Sequence, residues 1–162
     1  MFRAMRREKQ LLLEAETIAM LRSSTSGVLA VDGDGDYPYA VPLSFAYEDG
    51  KLFFHSATAG HKLDALERSE KVSFCVIAAD DVVPSKFTTH FRSAIVFGKA
   101  RIVRDDVEKR RALMCLAKKY SPDCLDAADS EIDGEWKRVC VIELAIEHMT
   151  GKASLELIRE RE

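Results

Sequence analysis

Between Tyr39 and Lys62 the chain reads Y-A-V-P-L-S-F-A-Y-E-D-G-K-L-F-F-H-S-A-T-A-G-H-K. Two strand-like runs, 39–48 and 51–56, flank Asp49-Gly50, a strong signal for a tight hairpin turn. The second run empties into a loop of small residues, and a short helix is expected over 61–68. Along the first strand Tyr39, Val41, Leu43, Phe45 and Tyr47 point one way, and Ala40, Pro42, Ser44 and Ala46 the other. A face of small side chains lets a flat group approach the backbone closely. Pro42 has no N–H, which puts its strand at an edge or a bulge. The loop adds Ser56, Thr58, Gly60, His61 and Lys62: hydroxyls, backbone N–H groups at a helix start, and a cation. That set can cradle a phosphate. Strand-on-helix packing and ordinary loop capping explain each segment taken alone. Side by side, the two fit a flavin-sized ligand, with its ring on the strand and its phosphate on the loop.

Residues 5–22 carry an amphipathic helix pattern with Leu11, Ala15, Ile18 and Leu21 on the apolar stripe. A strand over 27–32 and a turn through Asp32-Gly33-Asp34-Gly35-Asp36 lead into the hairpin. A strand follows over 71–78, with Val72, Phe74 and Val76 alternating, then a polar loop over 79–90. A long strand runs over 92–104, where Gly98 marks a bulge or bend. Asp105-Asp106 caps a helix to about Tyr120 with Val107, Leu113, Leu116 and Ala117 inward, and Ser121-Pro122 stops it. Alternation resumes over 138–148, and residues 155–162 form a charged tail. About six strands at hairpin spacing, with helices only at the periphery, predict a mainly β chain built as an antiparallel barrel. No linker or internal repeat divides the chain, so residues 1–162 are expected to form one domain.

The chain has 162 residues and a net charge of −3. No basic block supports nucleic-acid binding, and Arg3, Arg6, Arg7 and Lys9 read as the solvated face of a helix. No apolar run is long enough for a membrane span, and Glu14 and Glu16 interrupt the N-terminal leucines, so no signal peptide is expected. The four cysteines form no C-x-x-C pair and fit reduced thiols in a cytoplasmic protein. Asp32, Asp34 and Asp36 begin like a calcium loop, but Tyr37 and Leu43 stand where Gly and Glu are required. The histidines lack metal-motif spacing, so no metal site is expected.

Five pieces then follow one another in order: G-V-L-A-V from Gly27, P-Y-A-V-P-L-S-F through K-L-D-A-L from Pro38, K-V-S-F from Lys71, R-S-A-I-V-F-G-K-A-R-I-V from Arg92, and T-G-K-A-S from Thr150. This order resembles the FMN-binding split-barrel proteins related to pyridoxamine 5′-phosphate oxidase, and among them the Nim-type 5-nitroimidazole resistance proteins. The resemblance implies a six-stranded split barrel and a homodimer with FMN at the interface. It implies that Val41, Pro42, Leu43 and Ser44 lie along the isoalloxazine. His55, Ser56, Gly60, His61 and Lys62 would hold the ribityl phosphate. Arg92 and Ser93 would contribute around the same site or across the dimer. The C-terminal arginine motif of the oxidases proper is missing, so pyridoxamine phosphate oxidation is not expected.

The function expected from this resemblance is an FMN-dependent oxidoreductase that passes electrons from a reduced nicotinamide to a small acceptor, a nitroaromatic among the candidates. His61 is the candidate acid or base, since an imidazole titrates near neutrality. FAD is the alternative flavin. The competing readings are a non-catalytic flavin sensor or carrier, and a haem-binding split barrel with His55, His61 or His148 as axial ligand.

Overall fold

The computed structural model describes residues 1–159. Seven strands form one antiparallel sheet: β1 (Ser26–Asp32), β2 (Pro38–Ser44), β3 (Ala46–Glu48), β4 (Lys51–Ala57), β5 (Lys71–Val83), β6 (Thr88–Ile102) and β7 (Val139–Ala153). Their order is β2-β1-β5-β6-β7-β4-β3. The two edge strands are consecutive in the chain, with only Phe45 between them. The sheet therefore curls until its edges meet at that residue, and the ladder stays open beyond it. The helices are α1 (Glu14–Ser23), α2 (His61–Arg68), α3 (Asp106–Tyr120), α4 (Ala128–Glu135) and α5 (Leu155–Arg159).

Inward positions of the curled sheet make the core. Leu29, Phe74 and Val96 oppose one another across β1, β5 and β6 and are fully buried. The Phe74 ring meets Phe45 and Phe54 edge-on, at centroid distances of 4.8 and 5.1 Å. Helix α2 seals one end of the barrel with Leu63, Ala65 and Leu66. Gly98 sits at a register shift between β6 and β7, and a Cβ there would stand 2.1 Å from the Ala145 carbonyl oxygen.

The expected strand over 39–48 breaks at Phe45, which turns six strands into seven. The expected loop over 79–90 is instead the outer half of the β5–β6 hairpin, paired from Ala79↔Arg92 to Val83↔Thr88. Its polar composition reflects two-sided exposure rather than a lack of pairing. The N-terminal helix starts at Glu14, not at residue 5. Leu11 bridges Lys152, and the Leu12 N–H bonds the Gly151 carbonyl, so residues 11–12 run extended along β7. The Glu16 carboxylate then accepts the Leu13 N–H and starts the helix. Asp105 caps α3 as expected, accepting from the Val107 and Glu108 amides. Val107 itself faces solvent, and Ala112 and Leu116 carry the buried stripe. Helix α4 lies in a stretch whose short, acidic pattern gave no periodic signal. Of the tail, residues 155–159 are helical, and 160–162 lie outside the described residues.

Candidate functional site

Hairpin β3–β4 is paired from the turn to Ala46↔Phe53 and no further. Continuing that register would set Ser44 against His55 and Leu43 against Ser56. Instead the chain crosses into β2, which pairs with β1, while β4 runs on along β7 to Ala57. A split opens between the free edges of β2 and β4. Val41, Pro42, Leu43 and Ser44 line one side of it, and His55 and Ser56 the other. Tyr39, Val41 and Leu43 pack against the core, while Ala40, Pro42 and Ser44 are exposed.

Tyr120 shapes the corner. The β1–β2 register would next pair Thr25 with Phe45. The Tyr120 hydroxyl occupies that rung instead: it accepts the Phe45 N–H at 2.8 Å. Its own proton faces two carbonyls, Thr25 at 2.5 Å and Phe45 at 2.8 Å. Beside it, Lys119 Nζ donates to the Leu21 and Ser24 carbonyls and sits 4.0 Å over the Phe45 ring. Burial pushes the Lys119 ammonium down to about 8.

At the far end of the split lies a set of unspent polar groups. Ser56 is buried, and its Oγ has no hydrogen-bond partner among the described residues. It opposes Cys140 across β4–β7. Burial raises the Cys140 thiol, and the positive charges of Lys109, Arg104 and Lys62 oppose that rise. Gly60 holds φ +135, a conformation that side chains other than glycine's rarely adopt, and the space where a Cβ would stand is open. The first bonds into α2 run from the Leu63 and Asp64 amides to the Gly60 carbonyl, so the N–H groups of His61 and Lys62 precede the ladder. A cleft of about 390 Å³ joins Thr58 and Ala59 to Arg104, Lys109 and Cys140, with the carboxylates of Asp64, Asp106 and Glu67 also on its wall, the last paired with Arg104. An orphaned hydroxyl, free helix-start amides, an open glycine and a nearby cation fit a phosphate group.

The imidazole of His61 does not face this cradle. Its ring stacks on Tyr39 at 4.1 Å, and its Nε2 lies 3.6 Å from Asp34 Oδ2, while Asp34 Oδ1 accepts from Arg68. What His61 offers an anion is its backbone N–H. The sequence placed Tyr39 on the right strand but gave no signal for this stack. His55 points out of the barrel toward α3 and α4.

Arg92 and Ser93 are not brought to Ser56 and Lys62 within the chain. Arg92 pairs with Ala153 and Ser56 with Cys140, at opposite ends of β7 and about 40 Å of strand apart. The Arg92 Nε is buried without a partner among the described residues and borders a separate cleft of about 700 Å³ with Met20, Asp81 and Leu157. Ser93 opposes Ile77 and Lys152. A larger cavity of about 1210 Å³ lies around Trp136 between α3 and α4 and includes no residue of the split. Among the described residues no cluster of His, Cys, Asp and Glu could hold a metal ion, and no helix is long and apolar enough to cross a membrane.

The fold is shared with several solved structures. A candidate 5-nitroimidazole antibiotic resistance protein from Bacteroides thetaiotaomicron is 24% identical, with 88% of this chain and 86% of that one covered and a TM-score of 0.72. The FAD and haem binding protein from Mycobacterium smegmatis is 25% identical, with coverage of 90% and 73% and a TM-score of 0.75. A flavocytochrome from Azotobacter vinelandii is 21% identical, with coverage of 93% and 72% and a TM-score of 0.76. A search of the curated proteins finds no match. The family model described as pyridoxamine 5′-phosphate oxidase matches residues 14–153, and the chain belongs to that family.

Proposed function

We propose that this chain is a flavin-dependent oxidoreductase that holds FMN in the split between β2 and β4. The observation that carries the reading is the buried Ser56 hydroxyl, unpartnered among the described residues, on the strand that leads through Gly60 to the helix-start amides of His61 and Lys62. A buried hydroxyl without a partner costs about 1–3 kcal/mol, and a phosphate oxygen would relieve that cost. Lys62 supplies charge to the phosphate. The exposed small residues Ala40, Pro42 and Ser44 leave room for a flat ring along the β2 edge. Similarity to FAD-binding and haem-binding structures supports a flavin, and FAD is the alternative occupant. When bound, the flavin supplies two-electron chemistry between a reduced nicotinamide and a small acceptor, a nitroaromatic among the candidates. The chain's own part is to bind, to orient and to limit water. With its ring on Tyr39 and near Asp34, His61 serves as a positioning residue rather than an acid or base.

The same reading includes a homodimer. Val28, Cys75 and Ile95 oppose one another on the outer face of β1, β5 and β6, and Pro42 extends that row onto β2. Ile77 is 68% exposed and Phe97 39%, and the Phe87 ring at the β5–β6 tip is 99% exposed. Apolar surface of this kind marks an interaction face. A second copy on it would give Arg92 and Ser93 a route to the partner's flavin.

The test is to reconstitute the purified protein with FMN, remove free flavin by gel filtration, and add NADH or NADPH without oxygen. A retained twin-banded flavin spectrum that bleaches on addition supports the oxidoreductase. Retained flavin that never bleaches supports a carrier or sensor. Failure to retain flavin, with a Soret band on adding haem, supports the haem reading.

A further inference from the structure

A cavity of about 470 Å³ opens beside the split on the outer side of β4, with His55 in its wall. Leu113 and Ala117 of α3 and Ala128 and Ile132 of α4 give it apolar walls. Its size suits a molecule of one or two rings. Besides His55, its only ionisable groups among the described residues are the Cys124 thiol and the carboxylates of Glu131 and Glu135, and none of the described lysines and arginines lines it. The Ala128 N–H, which could have met an anion at the start of α4, is already bonded to the Leu125 carbonyl. The Ser121 hydroxyl and His55 remain as polar contacts for an uncharged group.

We infer that this cavity binds the acceptor, and that it selects a planar molecule that is neutral or cationic and rejects a phosphorylated one. The acceptor role rests on the flavin reading above, because the β3–β4 register carried on sets His55 across the split from Ser44, on the strand where that reading lays the ring. The charge preference rests on the cavity alone. Glu135 is paired with Arg138, which leaves Glu131 as the uncompensated carboxylate among the described residues; it repels a phosphate, and an apolar wall gives a dianion nothing in exchange for its water.

The experiment uses three probes of one shape: 4-nitrobenzyl alcohol, 4-nitrobenzylamine and 4-nitrobenzyl phosphate. Binding is read from the imidazole proton resonances of His55, assigned with His55→Gln, in the flavin-loaded and flavin-free protein. The alcohol and the amine are expected to shift the His55 signal saturably, and the phosphate to bind at least about tenfold more weakly. Ala117→Phe, which fills the cavity, is expected to abolish the shift. Glu131→Lys is expected to raise phosphate affinity at least about tenfold. Equal binding of phosphate and alcohol would overturn the charge preference. Bound flavin with no His55 shift from any probe would overturn the site. If Ala117→Phe fails to fold, the charge-reversed variant still decides. Absence of bound flavin with the shifts intact would remove the acceptor role and the flavin reading while leaving the ligand site.

Discussion

The hydroxyl of Tyr120 replaces a rung of the β-ladder at Phe45, accepting the Phe45 N–H at 2.8 Å where Thr25 would otherwise pair. One side chain from the end of α3 thus fixes the residue at which the sheet's two edges meet and the split begins. Removing the hydroxyl leaves the amide of a fully buried residue without a partner. Tyr120→Phe is expected to destabilise the fold by about 1–3 kcal/mol in urea denaturation. A loss under about 0.5 kcal/mol would mean that the corner holds without it.

Glu143 gives an acid-sensitive strut beneath α3. It is buried, with Lys51 at 2.9 Å and Arg101 at 3.0 Å. Burial alone would raise its carboxyl, but hydrogen bonds from Lys51 and Arg101 outweigh that and hold it below the usual range. A folded-state value below the unfolded one stabilises above the ordinary carboxylate range, and that contribution is lost as pH falls through the lowered value. Glu143→Gln should therefore cost roughly 1–2 kcal/mol at pH 7, since both cations are half exposed, and much less near pH 3. A penalty that does not change with pH would show that packing, not charge, sets it.

Lys119 predicts a trend of the same sign in an alkaline window. Its ammonium is pushed down by burial to about 8 from an ordinary 10.5. Between those values the unfolded chain keeps a proton that the folded chain has released, so stability gains a contribution as pH rises. The stability of the natural chain relative to Lys119→Met is expected to increase from pH 7.5 to pH 10. A difference that stays flat or shrinks would mean that the carbonyls of Leu21 and Ser24 hold the charged form throughout.

Two glycines separate close approach from mere occupancy. A Cβ on Gly98 would stand 2.1 Å from the Ala145 carbonyl oxygen, whereas one on Gly134 in α4 would meet nothing within 4 Å. Gly98→Ala is expected to lower stability by about 1–3 kcal/mol, and Gly134→Ala to raise it by about 0.5 kcal/mol. Thermal midpoints moving the same way in both variants would contradict this account.

Much of the site was legible in the sequence because it is local. Asp49-Gly50 fixes the hairpin, alternation fixes the faces of β2, and the small-residue loop leads directly into α2 at His61. The features that were not legible depend on distant pairing. Nothing near Phe45 announces that Tyr120 will interrupt its strand. Nothing near His61 announces Tyr39 and Asp34. Arg92 and Ser56 are each readable as polar groups on strands, but only the register across β7 shows that they stand at opposite ends of it. The polar segment 79–90 read as a loop because exposure on both faces erases the alternation that marks a half-buried strand.

The central claim is that Ser56 and its neighbours hold the phosphate of a flavin. The most direct measurement is an FMN titration, followed by quenching of flavin fluorescence, of the natural chain and of Ser56→Ala and Lys62→Ala, with riboflavin as the ligand lacking phosphate. The account predicts that each variant binds FMN roughly tenfold or more weakly, as the loss of one charge-assisted hydrogen bond implies, and that neither changes the weaker binding of riboflavin. Equal affinity of the natural chain for FMN and riboflavin, or unchanged FMN binding in both variants, would contradict it.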